Sequence, residues 1–193
     1  MFTDTLRYLI HTLADLFVLV LLLRFYLQVA RAPFKHPLCQ FVMSATNFIV
    51  VPARRVIPAV RSYDVATLAV GWGVTLLSLV FLLMLSVQPY DFASPQTWVA
   101  LALLALLGLF KQSLTLLMGA VIVQAVLSWV NPYNPLAPIL DSLTRPYLRY
   151  FGFARVGAVD LAPLVLFLII QVILMLPVNW LEQTFLTQLK VIM

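Results

Sequence analysis

Four long apolar runs, separated by shorter polar or proline-rich segments, define the pattern of the chain. They cover approximately residues 8–29, 65–87, 106–130 and 161–180. The residues after 180 are mixed in character and are expected to form an interfacial tail. About twenty residues at a rise of 1.5 Å each cross the roughly 30 Å hydrocarbon core of a bilayer, so each run is long enough for one span. The pattern therefore predicts an all-α, polytopic membrane protein with four transmembrane helices.

Two shorter segments between these runs have the periodicity of amphipathic helices. Residues 37–51 carry three polar side chains on one narrow stripe, and residues 136–145 carry apolar side chains on one face. The stripe consists of Gln40, Ser44 and Asn47. Pro52 and Pro146 are expected to end these helices. Both segments are too short to span the bilayer, so we expect them at the membrane interface or re-entering where the polar groups find partners.

The third run is longer than one perpendicular span requires, because residues 97–130 are almost unbroken in their apolar character. We expect a break or bend between Gly108 and Ser113, with residues 97–107 as a tilted or interfacial lead-in. A tight helical hairpin is the alternative, although it would leave Lys111 in lipid. The sequence does not decide between one bent helix and two helices.

The order of span, amphipathic helix and span occurs twice, at an offset of about 95 to 100 residues. The first copy occupies residues 1–96 and the second occupies residues 97–193. The chain therefore predicts two tandem repeats, each built as helix, interfacial helix, helix.

Composition agrees with lipid as the solvent. The 193 residues are 63% hydrophobic and 10% charged, and the mean hydropathy is +1.03, whereas soluble domains are about 45–50% apolar and about 25% charged. The net charge of +5 lies in residues beside the spans, so it indicates membrane topology and not a nucleic-acid partner. A single cysteine, Cys39, excludes an internal disulfide.

Charge also predicts the orientation. The basic segments 31–64 and 131–160 follow the first and third spans, whereas residues 88–96 contain no lysine or arginine. By the positive-inside rule we expect both basic segments to be cytoplasmic and both termini to lie on the opposite side of the membrane, which is the periplasmic side in a bacterium. The two repeats then run in the same direction and are parallel.

Ionisable residues inside the spans are candidates for function, because each is costly at the bilayer centre. His11 and Asp15 lie on one face of the first span, and Lys111 lies at a similar depth in the third. We expect an Asp15–Lys111 ion pair that fixes the register of the helices, with a proton or cation relay as the alternative. Arg24 lies near the inner end of the first span and is expected to extend to the headgroups.

The basic segments carry the remaining candidate sites. Asp64 and Asp160 precede the second and fourth spans and are expected to cap these helices and pair with nearby arginines. The arginines are expected to contact anionic headgroups or a cytoplasmic partner protein. This group comprises Arg24, Arg54, Arg55, Arg61, Arg149 and Arg155.

No pattern typical of catalysis or cofactor binding occurs in the sequence. His11 and His36 are too few and too far apart for a metal site, and no glycine-rich phosphate loop, Ser/His/Asp set or paired carboxylates are present. We therefore expect no enzyme activity, no cofactor and no metal.

Several stretches resemble the YggT family of small bacterial inner-membrane proteins, which contain two copies of one such unit. They are LLLRFYLQ (21–28), NFIVVPARRVIPAVRSYD (47–64), SWV (128–130) and GAVDLAPL (157–164). The second copy departs from the family pattern, because it lacks the paired arginines and the second proline. The resemblance implies an inner-membrane protein connected with osmotic stress, ion homeostasis, envelope processes or assembly of membrane complexes.

Two functions from different classes follow. The first is a non-enzymatic scaffold or assembly factor, whose basic, amphipathic cytoplasmic face binds anionic lipid headgroups or another membrane or cytoplasmic protein. The second is a small channel or transporter component that uses Asp15 and Lys111. In either case a second copy of the chain is a candidate partner.

Overall fold

Seven α-helices form most of the part of the chain that a computed structural model describes, which is residues 2–32, 36–58, 63–86, 91–131, 134–151, 155–156 and 159–191. The helices are α1 (Phe2–Val29), α2 (Pro37–Val56), α3 (Val65–Met84), α4 (Pro95–Val130), α5 (Ala137–Leu148), α6 (Ala162–Ile173) and α7 (Asn179–Val191). A 3₁₀ turn follows α5, and the two-residue strands β1 (Arg155–Val156) and β2 (Val159–Asp160) pair antiparallel before α6.

Four helices are long and apolar enough to cross a membrane. They are Phe2–Val29, Val65–Met84, Pro95–Ser128 and the continuous segment Ala162–Leu189, which includes α6 and most of α7. The predicted all-α fold with four transmembrane helices is confirmed. The first helix begins six residues before the predicted start at residue 8, and Asp4 in its first turn favours this start by interacting with the helix dipole.

Helix α4 is the centre of the bundle, because it packs against α1, α3, α5, α6 and α7. It is one continuous helix of 36 residues, which excludes a break and the helical hairpin, whereas the bend expected between Gly108 and Ser113 stays a prediction. Neighbouring helices support this region on several sides: a Cβ atom added to Gly108 would lie 3.1 Å from Thr75 of α3. At about 54 Å the helix is longer than the hydrocarbon core is thick, and a helix of this length in a bilayer tilts or extends beyond the core.

Helices α3 and α4 approach closely where small residues allow it. A Cβ atom on Gly71 would lie 3.1 Å from Leu109 Cδ1, whereas one on Gly73 would have no neighbour within 4 Å. The indole Nε1 of Trp72 donates a hydrogen bond of 3.1 Å to the Ala102 carbonyl. Of the two glycines that flank Trp72, Gly71 therefore forms the close contact.

Both amphipathic helices continue past the prolines that were expected to end them. Helix α2 includes Pro52 and ends at Val56, and α5 includes Pro146 and ends at Leu148. A proline removes one backbone donor, which weakens a helix without preventing one more turn when the following residues are held. In α2 the Ile57 amide donates to the Ala53 carbonyl at 2.9 Å, and Arg54 is fixed by an ion pair described below.

The predicted interfacial tail after residue 180 is also helical. A π-helical turn, Leu174–Val178, connects α6 to α7 without interrupting the helix, and it contains Pro177. Because proline cannot donate to the carbonyl four residues earlier, a wider turn accommodates it. Phe185 and Leu189 of α7 pack in one cluster with Ala100, Leu101 and Leu104 of α4.

The end of α1 sets the direction of the chain into α2. Arg31 has a φ of 51°, in the left-handed region that glycine usually occupies. The Ala32 amide donates to the Leu27 carbonyl at 3.0 Å, which closes the last turn of the helix. Leu27, Ala32, Cys39 and Val42 then form a small core with Ile139 of α5.

Candidate functional site

A buried arginine connects α1 to α2. Arg24 is 4% exposed, and its Nη1 donates to Thr46 Oγ1 at 2.7 Å and to Asn47 Oδ1 at 2.8 Å. Thr46 is fully buried, and its hydroxyl donates a hydrogen bond of 2.7 Å to the Val42 carbonyl. Arg24 does not extend along the surface of the bundle as a snorkelling side chain would, because Thr46 and Asn47 of α2 accept its hydrogen bonds. Its contact with anionic headgroups stays a prediction.

A buried carboxylate connects α2 to α3. Asp64 is 1% exposed and receives two hydrogen bonds from Arg54, Nε to Oδ1 at 3.2 Å and Nη2 to Oδ2 at 2.5 Å. Thr67 Oγ1 donates to Asp64 Oδ2 at 2.5 Å. Arg54 also reaches Gln28 Oε1 of α1 at 3.4 Å, so one side chain contacts three successive helices.

The electrostatics of Asp64 follow from this geometry. Burial raises the pKa of the carboxyl group, but the hydrogen bonds from Arg54 and Thr67 and the positive charge of Arg54 outweigh it. The pKa of Asp64 is therefore lowered from its ordinary value. The group is an ionised partner of Arg54 at neutral pH.

The predicted capping roles of the two aspartates need correction. Asp64 occupies the N-cap position of α3, but its carboxylate makes no capping hydrogen bond, because Arg54 and Thr67 engage it. Asp160 lies in β2, and the N-cap residue of α6 is Leu161. Asp160 lies opposite Arg155 in the strand pair and two residues before the first residue of α6, and its side chain lies outside the described part of the structure.

The second repeat contains the counterpart of the Arg24–Thr46 contact. Thr144 of α5 is fully buried, donates to the Leu140 carbonyl at 2.8 Å and is hydrogen-bonded to Gln124 Oε1 of α4. Gln124 thus takes the place of Arg24. The contact is kept, but the charge is present only in the first repeat.

The expected Asp15–Lys111 ion pair is not formed. Lys111 Nζ lies 2.8 Å from Glu182 Oε2 of α7, and Asp15 Oδ2 lies 3.0 Å from His11 Nδ1 one turn earlier. The expectation that α1 and α4 lie side by side here holds, because Gln112 Nε2 donates to the Asp15 carbonyl at 2.9 Å. Successive residues on a helix point about 100° apart, so Gln112 faces α1 while Lys111 faces α7.

The remaining predicted arginines do not form one cluster in the described residues. Arg55 is exposed at the end of α2, and Arg149 stacks over the Tyr150 ring at 5.3 Å from its centroid. Arg61 and the side chain of Arg155 lie outside the described residues. The contacts of these arginines with lipid or a partner stay predictions.

Charge and hydropathy patterns did not reveal the uncharged partners in these networks or the acidic partner of Lys111; examples are Gln28, Thr46, Thr67 and Glu182. A signal existed for Thr46, because Thr144 occupies the corresponding place in the second amphipathic helix. Glu182 was assigned to an interfacial tail, and hydropathy alone gives no indication that this tail packs against α4.

Metal chemistry gains no support from the geometry. Within the described residues, no group of three or more His, Cys, Asp and Glu side chains lies close enough to hold a metal ion. Cys39 is buried, and burial raises the pKa of its thiol, so the thiol reacts slowly at neutral pH.

The exposed side of α2 carries large apolar side chains beside the polar Gln40 and Ser44. Phe41 and Phe48 are 68% and 70% exposed, and Val56 at the end of the helix is 81% exposed. The opposite side carries the four buried residues Cys39, Val42, Thr46 and Val50. Helix α2 therefore has one face fixed to the bundle and a second face available to lipid or protein.

Comparison with known proteins agrees with this architecture. The CCB3/YggT family profile matches residues 3–85 and 103–181, one match in each repeat. The chain belongs to the CCB3/YggT family. The matched segments contain the Arg24–Thr46 and Arg54–Asp64 contacts of the first repeat and the Gln124–Thr144 contact of the second.

Relatives of similar length come from three bacteria. The chain is 34% identical over 173 residues to the uncharacterized protein YggT of Escherichia coli K12, covering 88% of this chain and 87% of that protein. An uncharacterized Pseudomonas aeruginosa protein is 35% identical over 176 residues, with 89% and 87% covered. An uncharacterized Vibrio alginolyticus protein of the proC 3′ region is 33% identical over 171 residues, with 87% and 90% covered. No solved structure matches the chain.

Proposed function

We propose that this CCB3/YggT-family protein is a non-enzymatic scaffold of the bacterial inner membrane. Its amphipathic helices α2 and α5 present a surface at the cytoplasmic side, where another membrane protein docks and inner-leaflet headgroups surround it. An osmotic or ion-homeostasis role would be exerted through that partner. The observation that carries the proposal is the rigid attachment of α2, by one buried face, to both spans of its repeat.

The attachment matters because a docking surface must keep its shape. Arg24 ties the middle of α2 to α1, and Arg54 ties its end to α3 and α1. A helix held at two points loses little further conformational entropy when a partner binds, which favours affinity. The exposed Phe41 and Phe48 supply the aromatic anchors that protein interfaces favour.

Photo-crosslinking in native membranes tests the scaffold directly. A photo-reactive amino acid at position 48, on the exposed face of α2, should give one discrete protein adduct. The same residue at position 50, where Val50 is fully buried, serves as the matched control and should give no intermolecular adduct. Lipid adducts alone at position 48 would contradict docking of a protein on α2.

The channel alternative receives less support from the packing. It requires Asp15 and Lys111 to share a path, whereas each has a partner of its own, His11 and Glu182. Apolar side chains, among them Leu19, Leu23 and Leu116, line a cavity of about 590 Å³ between α1, α4 and α5. We expect Asp15→Asn to leave ion flux through reconstituted vesicles unchanged. A flux that falls with this substitution would favour the channel.

A further inference from the structure

A cavity of about 290 Å³ lies at the inner end of α1, between α1 and α2. Arg24, Gln28, Cys39 and Arg54 contribute to its wall, together with apolar side chains such as Leu27. We call it the Arg24 cavity. It is much larger than the about 30 Å³ that one water molecule occupies in the liquid, so it has room for a small polar group and its hydration.

The charges around the Arg24 cavity do not balance. Arg24 and Arg54 each carry one positive charge, and arginine stays protonated in proteins. Asp64 supplies one negative charge, but both of its oxygens are engaged by Arg54. One positive charge is left over, and it belongs to Arg24, whose hydrogen-bond partners Thr46 and Asn47 are neutral.

Arg24 also has unused hydrogen-bonding capacity. A guanidinium group has five N–H donors. Within the described residues Arg24 makes two side-chain hydrogen bonds, and Nη1 is the donor in both. Its Nε and Nη2 make none with the part of the chain described here, although the residue is only 4% exposed. A charge with so little exposure is unfavourable beside a cavity unless an anion or water in that cavity completes its hydrogen bonding.

We propose that the Arg24 cavity binds the phosphate group of an anionic phospholipid. A phosphodiester carries one negative charge, equal to the one positive charge in excess. The free edge of the Arg24 guanidinium can donate two parallel hydrogen bonds to phosphate oxygens, a geometry that arginine favours. The phosphate then completes the polar network between α1 and α2.

The surroundings favour a lipid phosphate over a soluble one. The cavity wall combines the two arginines with Leu27, Val42 and Met43, and the outer side of α2 exposes Phe41 and Phe48. Anionic headgroups are abundant at the inner leaflet, where the basic segment is expected to lie. A zwitterionic headgroup would bring an ammonium group beside Arg54, which like-charge repulsion opposes.

This inference deepens the proposed function, because it names the lipid that would hold the docking helix α2 in place. It rests on the inward side of α2, whereas docking of a protein rests on the outward side. The two are therefore separable by experiment.

Cys39 gives a direct readout, because it lines the Arg24 cavity and is the single cysteine of the chain. The full-length protein in detergent micelles is treated with iodoacetamide, with added dioleoylphosphatidylglycerol, dioleoylphosphatidylcholine or inorganic phosphate. We expect phosphatidylglycerol to slow alkylation of Cys39 about tenfold or more, since a charged hydrogen-bonded pair contributes roughly that factor. Phosphatidylcholine and inorganic phosphate should have little effect.

Variants separate a specific site from general charge. Arg24→Gln should abolish the protection by phosphatidylglycerol, and Arg24→Lys should weaken it because lysine lacks the planar donor pair. Arg149→Gln removes an exposed arginine on the opposite repeat and should keep the protection. Arg24→Gln removes two hydrogen bonds to α2 and can fail to fold. The comparison of the three additives on the wild-type protein is therefore a complete test by itself.

Several results would overturn the assignment. Equal protection by phosphatidylglycerol and phosphatidylcholine would remove the selectivity for a net anion, and protection by inorganic phosphate alone would assign the cavity to a soluble ligand. If Arg24→Gln and Arg149→Gln lost the protection of Cys39 equally, general surface charge would explain the protection and no specific site would be needed. A protein adduct at position 48 that persists in Arg24→Gln would sustain the scaffold even if the lipid site fails.

Discussion

The Arg54–Asp64 pair offers a quantitative test of how α2 is held. Asp64 is fully buried as a side chain, whereas the Arg54 side chain is 40% exposed. Removing Arg54 and removing Asp64 should therefore change the stability by different amounts. In Arg54→Ala a buried carboxylate keeps only the Thr67 hydroxyl as a partner, whereas in Asp64→Asn a half-exposed arginine can turn to water.

The magnitudes follow from this asymmetry. Breaking a buried pair by removing one partner costs about 3–5 kcal/mol, and the exposure of Arg54 lets water reach the site, so we expect Arg54→Ala at the low end, about 3 kcal/mol. Asp64→Asn keeps the shape and the Thr67 contact and should cost about 1 kcal/mol. The double variant should resemble Asp64→Asn, because it no longer contains an unpaired charge.

The same pair predicts opposite responses to acid. In the wild type the pKa of Asp64 is lowered in the folded state, so its contribution is complete above the unfolded value of about 3.9 and is lost as the pH falls below it. In Arg54→Ala burial dominates and raises the pKa of Asp64 above the unfolded value. Lowering the pH from 7 towards 5 should then recover part of the lost stability.

Unfolding by sodium dodecyl sulfate in mixed micelles, followed by tryptophan fluorescence at pH 7 and pH 5, measures both effects. Asp64→Asn is the control for acid, since it has no carboxylate at this position. The reasoning is refuted if Arg54→Ala is no less stable than Asp64→Asn at pH 7, or if acid destabilises Arg54→Ala further.

Two further predictions concern the packing around α4. Gly71→Val should lower the free energy of unfolding by about 1–3 kcal/mol, because the valine side chain would press on Leu109. Gly73→Ala has open space beside it and should raise the free energy of unfolding by about 0.5–1 kcal/mol. Thermal unfolding of both variants measures these changes, and equal effects would contradict the contact assigned to Gly71. A double-mutant cycle on Lys111→Met and Glu182→Gln should give a coupling energy of about 0.5–1 kcal/mol, as expected for a partly exposed pair; a coupling energy of zero would show that the two side chains do not interact.

The fold could be predicted from the sequence where it depends on long, uniformly apolar segments. Four apolar runs of bilayer length predict four spans, because lipid leaves a chain few alternatives to the helix. The ends of helices were harder to predict. Pro52 and Pro146 were expected to stop α2 and α5, but tertiary contacts of the residues that follow outweigh one missing backbone donor.

Contacts between side chains depend on helix rotation, which hydropathy does not determine. Lys111 and Gln112 are neighbours in sequence, and only the packing of α4 decides which one faces α1 and which one faces α7. A rotation of α4 by one residue would turn Lys111 towards α1. The tail containing Glu182 was too polar to be recognised as part of the bundle.

The polar contacts of α2 could be predicted in part. The stripe containing Asn47 was expected to find partners within the protein, and Asn47 accepts a hydrogen bond from Arg24. Arg24 itself was expected at the headgroups, because a sequence shows the depth of a residue in its helix and not the helix that packs beside it. Arg24 of the first repeat and Gln124 of the second each hydrogen-bond to a threonine of the following amphipathic helix. The two repeats therefore keep this contact and differ in its charge.

The central claim is that two repeats facing the same way hold their amphipathic helices at the inner surface of the membrane. Single cysteines introduced at the exposed positions Arg55 and Arg149, in a Cys39→Ala background, test it with a membrane-impermeant maleimide. Both sites should react in inside-out vesicles and neither in intact spheroplasts. Labelling of the two sites from opposite sides of the membrane would contradict the parallel arrangement.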